Sequence, residues 1–301
     1  MPVTAGPGAG GPEAAARAAV LGHPIGHSKS PALHLAAYRA LGIDMEYGSF
    51  DLTEEQLPAF AARVRREPGW RGLSVTMPLK AAFVPLVDRV EGLAAELGVL
   101  NTVVVEPSAA GTVLVGHNTD VLGITESFRH AGMESVHRPV VVGAGNTALA
   151  SVAALARLGA RRVEFLVRDA SRSGEAAALA TRLGLQVAVS PLDGGAARLA
   201  AADAVVSTLP PRAADGLAAE LATVPADDGG AHVLLDVAYD PWPSRLAAAW
   251  EGRGGHVLHG LEMLVYQAVE QIVLFTGRQD ARSRAVIDVM CASVGVPQRT
   301  A

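Results

Sequence analysis

A glycine turn between an apolar run and an alanine-rich stretch constrains the fold of this chain more than any other feature. The run PVVV has the length and composition of a buried strand, and a G-x-G-x-x-A motif follows it directly. Gly143 permits a tight turn, Gly145 lets a pyrophosphate approach the backbone, and the small Ala148 permits close helix packing. The helix N-terminus then offers free N–H groups to phosphate. The pattern predicts a dinucleotide site formed by Gly143, Ala144, Gly145, Asn146, Thr147 and Ala148.

The end of the next predicted strand decides which dinucleotide fits. An acidic residue there bonds the ribose 2′-hydroxyl of NAD, whereas an arginine accepts the 2′-phosphate of NADP. After the strand VEFLV, Arg168 and Arg172 bracket Asp169. Because the guanidinium fork matches a phosphate, we expect NADP and interpret Asp169 as a turn residue, while NAD remains the alternative.

The order of the predicted elements divides the chain into two α/β domains. A length of 301 residues favours two domains, and 50% hydrophobic with only 4% aromatic residues suits helices packed on parallel strands. Apolar runs alternate with helical stretches, and the alternation restarts near residue 120. We predict a disordered tail at 1–17, a first domain at 18–119 that helices from 257–301 complete, and a doubly wound domain at 120–256. A cleft between the domains is the expected ligand site.

Charge and cysteine content exclude several other classes of protein. The net charge of −5 and the pI near 6.0 argue against a nucleic-acid or anionic-membrane partner. The first residues lack the charged and apolar regions of a secretion signal, so we expect a cytoplasmic protein. The single cysteine, Cys291, rules out an intramolecular disulfide and is interpreted as a core residue. No His, Asp or Glu set has metal-ligand spacing, so no metal is expected.

A lysine near the end of a predicted strand is the first candidate for chemistry. In the stretch GLSVTMPLK, apolar and polar residues alternate as far as Met77, which predicts a half-buried strand that Pro78 ends. Lys80 then lies just past the strand. A lone lysine in a loop is ordinarily solvated, so a catalytic role for Lys80 requires a partner.

Small polar side chains cluster near other predicted strand ends. HSKSP precedes the first helix, where Ser30, taken alone, is interpreted as a helix N-cap with Pro31 at the first helical position. Asn101 opens a strand, and Asp120 opens a helix, where a carboxylate also has a purely structural use. Together with Lys80, these groups suit a small polyhydroxylated substrate and a pair that moves a proton. Three nearby histidines are interpreted as hydrogen-bonding rather than catalytic: His23, His27 and His117.

These motifs resemble those of the shikimate dehydrogenase family, in the same order and over nearly the whole chain. The segments are HSKSP, GLSVTMPLK, NTVV, GHNTDVLG, VVVGAGNTA, VSTLP, DVAYDPWPSRL and GLEMLVYQA. The resemblance implies a substrate domain, a Rossmann-type NADP domain and NADPH-dependent reduction of 3-dehydroshikimate to shikimate in aromatic amino-acid biosynthesis. We expect the protein to be a monomer or homodimer. One alternative is a quinate or dual quinate/shikimate dehydrogenase that uses NAD. Another is a regulator without catalysis, which could have lost Lys80 or Asp120.

The resemblance also implies roles for individual residues. Lys80 and Asp120 match the catalytic pair. Positions that match substrate contacts are Ser28, Ser30, Ser74, Thr76, Asn101, Tyr239 and Gln267. Positions that match cofactor contacts are Gly143, Ala144, Gly145, Asn146, Thr147, Ala148, Arg168, Arg172, Thr208 and Gly260. The chain departs from the family pattern at Ser74, where many members carry asparagine, and at Val167 and Asp169, where they carry asparagine and threonine.

Overall fold

The chain folds around two six-stranded sheets, each covered by helices on both faces. The structure is a computed structural model and describes residues 14–109, 111–225 and 232–298. The strands are β1 (Arg17–Gly22), β2 (Glu46–Asp51), β3 (Trp70–Val75), β4 (Arg89–Val90), β5 (Thr102–Ser108), β6 (Gly111–His117), β7 (Pro139–Val142), β8 (Arg162–Val167), β9 (Gln186–Pro191), β10 (Ala204–Ser207), β11 (Val233–Asp236) and β12 (His256–His259).

Helices connect these strands and close the chain. They are α1 (Ser30–Leu41), α2 (Leu57–Arg66), α3 (Leu79–Ala82), α4 (Leu93–Leu97), α5 (Asp120–His130), α6 (Asn146–Arg157), α7 (Gly174–Arg182), α8 (Ala196–Ala200), α9 (Asp215–Leu221), α10 (Arg245–Glu251), α11 (Gly260–Thr276) and α12 (Arg284–Val294). Short 3₁₀ turns lie at Glu54–Gln56, Val84–Leu86, Ala170–Ser173 and Gln279–Arg282. Within the described ranges, no helix combines the length and the apolar character that a bilayer crossing needs.

The first sheet is mixed and has the strand order β2-β1-β3-β5-β6-β4. Strands β1, β2 and β3 pair in parallel, whereas β5 runs antiparallel to both of its neighbours. Alternate residues of β1 point into two different hydrophobic cores. Ala18 and Val20 pack with α1, α11 and α12, whereas Ala19 and Leu21 pack with α2. Cys291 is fully buried in the first of these cores, so its interpretation as a core residue is confirmed.

The second sheet is entirely parallel and has the order β12-β11-β10-β7-β8-β9. This is the doubly wound order, with its switch point between β7 and β10, so the predicted Rossmann-type fold is confirmed. Ligands bind such sheets in the crevice outside the carboxyl ends of the strands at this point. The glycine turn after β7 lies there.

The predicted domain limits differ from these elements at both ends. Residues 1–13 of the predicted tail lie outside the described residues, and Arg17 already pairs in β1. We predict the second domain at 120–256, but β12 adds a strand to the second sheet that extends to His259. The short strand HVLH is followed directly by Gly260, the first residue of α11, so no loop residue separates the strand from the helix. The limits of the domains as functional units stay a prediction.

Helices α5 and α11 pack together between the two sheets. A Cβ on Gly123 of α5 would lie 2.8 Å from the Met263 carbonyl oxygen and 3.0 Å from Gln267 Cβ in α11. Real Cβ atoms do not make the first contact, so this close packing requires glycine. It brings Asp120, the first residue of α5, near Gln267 in the middle of α11.

Candidate active site

A cavity of about 290 Å³ opens between the carboxyl ends of the first sheet, helix α11 and the crevice of the second sheet. It collects side chains from residues that are more than 200 positions apart in sequence, because β1, β3 and α11 converge there. All of the positions predicted for catalysis or substrate contact line it: Ser28, Ser30, Ser74, Thr76, Lys80, Asn101, Asp120, Tyr239 and Gln267. His23 and His27 also line it, whereas His117 does not.

The strand that leads to Lys80 differs from its predicted form. It ends at Val75, and Met77 is 68% exposed. The prediction of a half-buried strand is wrong, because both faces of β3 are covered and Ser74 is buried along with Val75. Lys80 is the second residue of the short helix α3.

Lys80 forms a close ion pair with Asp120. Its Nζ lies 2.5 Å from Asp120 Oδ2, and the two side chains are only 12% and 7% exposed. The other carboxylate oxygen, Oδ1, accepts a hydrogen bond of 2.8 Å from Asn101 Nδ2. Lys80 therefore has the partner that a catalytic role requires, Asp120, and Asn101 holds the other oxygen of this carboxylate.

The orientation of Asn101 follows from backbone groups. The N–H of Thr119 donates to Asn101 Oδ1 at 2.7 Å, which fixes this atom as the carbonyl oxygen and Nδ2 as the donor to Asp120. The N–H of Asp120 donates in turn to the side chain of Asn118 at 3.0 Å. The loop GHNTD thus holds the first turn of α5 rigidly against β5.

The interpretation of Ser30 as a helix N-cap is wrong. Lys29 occupies the N-cap position of α1 without a side-chain hydrogen bond, and Ser30 is the first helical residue. Ser30 is 5% exposed, and its side chain acts to lower the pKa of Tyr47 against the larger effect of burial. Ser28 Oγ accepts from the N–H of Ser30 at 3.3 Å. The segment HSKSP therefore presents two hydroxyls to the cavity.

Three buried polar residues next to Ser74 were not predicted from the sequence: Tyr47, His34 and Gln271. Ser74 Oγ donates to Gln271 Oε1 at 2.7 Å and accepts from Tyr47 at 2.6 Å, while His34 lies 3.2 Å from the same Gln271 oxygen. Burial lowers the pKa of His34 to about 3 and raises that of Tyr47. The spacing of Gln271, one helical turn after Gln267, was an available signal. Tyr47 and His34 carry none, because the tertiary fold alone brings them here.

The glycine turn has the geometry of a phosphate-binding loop. Gly143 has φ +107°, and a Cβ there would lie 2.5 Å from Thr208 Oγ1, so glycine is required. Gly145 is the N-cap of α6, and no described atom lies within 4 Å of the position that its Cβ would take. Ala148 is fully buried against the sheet. Open space above a helix N-terminus with free N–H groups fits a pyrophosphate.

The arginines after β8 are exposed and available. Neither Arg168 nor Arg172 forms a salt bridge with another described residue. Asp169 Oδ1 accepts from the N–H and the hydroxyl of Ser171 at 2.9 and 2.6 Å, and these bonds lower the pKa of Asp169. The interpretation of Asp169 as a turn residue is confirmed.

Two further positions connect the cofactor crevice to the cavity. Thr147 and Gly260 line the cavity together with Lys80, and a Cβ on Gly260 would lie 2.3 Å from the Val237 carbonyl oxygen. Thr208 donates to the Val142 carbonyl oxygen at 3.0 Å and borders Gly143. Tyr239 reaches the cavity from the loop after β11, and burial raises its pKa. Among the described residues, no group of three His, Cys, Asp or Glu side chains could hold a metal ion.

Known proteins share this chain's sequence over nearly its full length. A shikimate dehydrogenase (NADP(+)) of Moorella thermoacetica is 34% identical over 291 residues, which cover 93% of this chain and 95% of the relative. This chain belongs to the shikimate dehydrogenase family. The family model for the shikimate dehydrogenase substrate binding domain matches residues 20–103, and the model for the shikimate 5′-dehydrogenase C-terminal domain matches residues 260–290.

Solved structures of the family superpose on the whole fold. The crystal structure of Mycobacterium tuberculosis shikimate dehydrogenase aligns with a TM-score of 0.80 at 37% identity and covers 93% of this chain and 99% of its own. The shikimate 5-dehydrogenase of Thermus thermophilus, in complex with NADP(H) and shikimate, aligns with a TM-score of 0.73 at 30% identity and covers 92% and 99%. Both domains of this fold are therefore shared with the family.

Proposed function

We propose that this protein catalyses the reversible NADPH-dependent reduction of 3-dehydroshikimate to shikimate in aromatic amino-acid biosynthesis. The observation that carries the proposal is one cavity with the Lys80–Asp120 pair on one wall and Thr147 and Gly260, next to the phosphate turn, on another. The family to which the chain belongs supports the same reaction. We also propose that the enzyme acts in the cytoplasm on small molecules, as a monomer or homodimer.

Lys80 is the proton donor in this mechanism. When bound, NADPH supplies the hydride to the ketone carbon. Negative charge grows on the ketone oxygen as the carbon is reduced, and a positioned ammonium stabilises this charge and then transfers a proton to form the hydroxyl. With its side chain 12% exposed, Lys80 meets little water that would screen this charge.

Asp120 holds Lys80 in place for this step. The carboxylate binds the ammonium through Oδ2 and Asn101 through Oδ1, so it cannot rotate without losing a hydrogen bond. A lone pair of Asp120 remains for a ring hydroxyl of the substrate. In the reverse reaction, the same pair takes the proton from the alcohol that is oxidised.

The polar side chains of the cavity bind the remaining groups of the substrate. Hydroxyls and amides offer donors and acceptors for ring hydroxyls and a carboxylate, and the group comprises Ser28, Ser30, Ser74, Thr76, Asn101, Tyr239 and Gln267. Ser74 supplies a shorter polar group than the asparagine of many family members. The Ser74 hydroxyl can accept a hydrogen bond from the substrate at this position.

The second sheet provides the residues that hold NADP. The turn residues Gly143, Ala144, Gly145, Asn146, Thr147 and Ala148 would hold the pyrophosphate, and Arg168 and Arg172 would hold the 2′-phosphate. Thr208, which borders Gly143, and Gly260, which lines the cavity, would complete the cofactor site. Support for NADP over NAD comes from the free guanidinium groups. Asp169 uses one oxygen for its own turn, which lowers its capacity to bind a ribose hydroxyl.

The test is a spectrophotometric assay of cofactor reduction with four combinations: shikimate or quinate, each with NADP or NAD. We expect turnover of shikimate with NADP to exceed each of the others by more than about tenfold in kcat/KM. Quinate turnover or preferred use of NAD supports the quinate or dual enzyme instead. If no combination reacts, the protein is not a dehydrogenase of this class and the regulator is favoured.

A further inference from the structure

Behind the cavity, the buried residues Tyr47, Ser74, Gln271 and His34 form a continuous hydrogen-bonded group, here called the polar wall. Each is buried, and Ser74 and Gln271 also line the cavity. None of them has a catalytic role in the proposed mechanism. The bonds reach from β2 through β3 and α11 to α1.

Backbone geometry fixes the orientation of Gln271. Its Nε2 lies 3.1 Å from the carbonyl oxygen of Asn101, which can only accept a hydrogen bond. This atom is therefore the amide nitrogen, and Oε1 is the acceptor that faces Ser74 and His34. Nε2 also donates to Thr102 Oγ1 at 3.0 Å.

The direction of every other bond in the polar wall follows from this assignment. Since Oε1 only accepts, Ser74 must donate its single proton to Gln271, and His34 must carry its proton on Nε2. The proton of Ser74 is then unavailable to Tyr47, so the Tyr47 hydroxyl donates to Ser74. Burial lowers the pKa of His34, which keeps its ring neutral, and Nδ1 is free to accept from Tyr38 at 3.2 Å.

We propose that Gln271 is a positioning residue that makes Ser74 a pure hydrogen-bond acceptor towards the cavity, so that the substrate must present a free hydroxyl as donor at this point. The inference rests on the proposed function for the identity of the substrate. Ser74 keeps one lone pair for the cavity but has no proton to offer. A group that only accepts, placed against Ser74, faces a second acceptor and leaves both unpaired in a buried site.

The first test determines directly which ring nitrogen of His34 carries the proton. In protein labelled with ¹⁵N-histidine, long-range ¹H–¹⁵N spectra distinguish the two neutral tautomers, and the His34 signals are assigned by their loss in His34→Gln. We expect the Nε2–H tautomer in the wild type. Gln271→Met, which keeps the volume but removes the acceptor, shifts the Nε2–H resonances, whereas Gln186→Met at an exposed site does not. The Nδ1–H tautomer in the wild type would overturn the proton assignment.

The second test measures discrimination between hydroxyl and fluorine. Dissociation constants are determined for shikimate and for its monofluoro-deoxy analogues at the two hydroxyls that do not react. For the analogue whose fluorine faces Ser74, we expect binding to the wild type about ten- to hundredfold weaker than that of shikimate. In Gln271→Met the Ser74 proton is released and can turn towards fluorine. The ratio of the dissociation constant of this analogue to that of shikimate therefore falls at least about threefold.

A double-mutant comparison separates positioning from general damage. In a Ser74→Ala background, Gln271→Met is expected to leave the ratio unchanged, because there is no proton left to release. An unchanged ratio in Gln271→Met itself, for both analogues, would overturn the inference. If the wild type binds no shikimate, the proposed function and the substrate part of the inference fail together, and the His34 tautomer still decides the proton order of the polar wall. This measurement on the wild type also keeps the inference testable if Gln271→Met does not fold.

Discussion

The ammonium of Lys80 lies 2.5 Å from Oδ2 of Asp120, although the two residues are 40 positions apart. Lys80 stands in the short helix after β3, and Asp120 is the first residue of α5. The positive end of the α5 dipole and the Asn101 amide stabilise the carboxylate. A lysine after an apolar strand is thus held in a cavity next to the crevice of the second sheet, where the proposed reaction requires a proton.

Removal of the two arginines after β8 is expected to change cofactor choice more than catalysis. In Arg168→Ala/Arg172→Ala, we expect KM for NADP to rise about tenfold or more, because charge-assisted bonds to the 2′-phosphate are lost. KM for NAD changes little. Steady-state kinetics with both cofactors measures this. Arg161→Ala, at the opposite end of the strand, serves as the control, and an equal rise of KM for both cofactors would contradict the prediction.

Gly143→Ala is expected to damage the phosphate turn. The alanine backbone would have to adopt φ +107°, and the added Cβ would lie 2.5 Å from Thr208 Oγ1. We expect a loss of stability of about 1–3 kcal/mol and weaker NADP binding, as measured by urea unfolding and cofactor titration. Gly216→Ala, where a Cβ meets no described atom within 4 Å, is the control with unchanged or slightly higher stability. Wild-type NADP affinity in Gly143→Ala would refute the assigned turn.

His34 is expected to make stability depend on pH. Its pKa is about 3 in the folded protein and 6.5 ordinarily, so the unfolded chain binds one more proton between these values. The stabilisation of the folded protein by the buried neutral ring of His34 is complete above pH 6.5 and is lost as the pH falls towards 3. Between pH 7 and 4.5, the free energy of unfolding should fall by roughly 2–3 kcal/mol more in the wild type than in His34→Gln.

Urea unfolding at the two pH values measures this difference. The exposed histidine His137 provides the control, and His137→Gln is expected to lose as much stability as the wild type. Parallel losses in the wild type and in His34→Gln would show that His34 is not held neutral by burial.

The parts of the fold that sequence predicts depend on local patterns. The glycine turn before α6 follows from backbone requirements of a few residues, and Gly143 adopts φ 107° there. The doubly wound order follows from repeated strands and helices. β12 is not predicted because four residues with polar ends carry too little periodicity. The burial of both faces of β3 is not predicted because the second face packs on α11, through Phe275 and Gln271, about 200 positions away in sequence.

The candidate site likewise contains residues that short sequence motifs predict and residues that only the tertiary fold brings together. Lys80 and Asp120 stand in short motifs that can be read along the chain, and the cavity collects them. The bond from Ser74 to Gln271 joins residues 197 positions apart, and that from His34 to Gln271 joins residues 237 apart. Such contacts depend on how α11 packs on the first sheet, so the sequence around Ser74 and His34 does not predict them.

The most direct test of the mechanism is the rate of Lys80→Ala at saturating 3-dehydroshikimate and NADPH. We expect kcat to fall about 10²- to 10⁴-fold, as for the loss of a general acid, with KM for NADPH unchanged. Lys29→Ala removes the only other lysine of the chain, at an exposed position, and should retain wild-type activity. A kcat of Lys80→Ala near that of the wild type would contradict the role of the Lys80–Asp120 pair as the source of the proton.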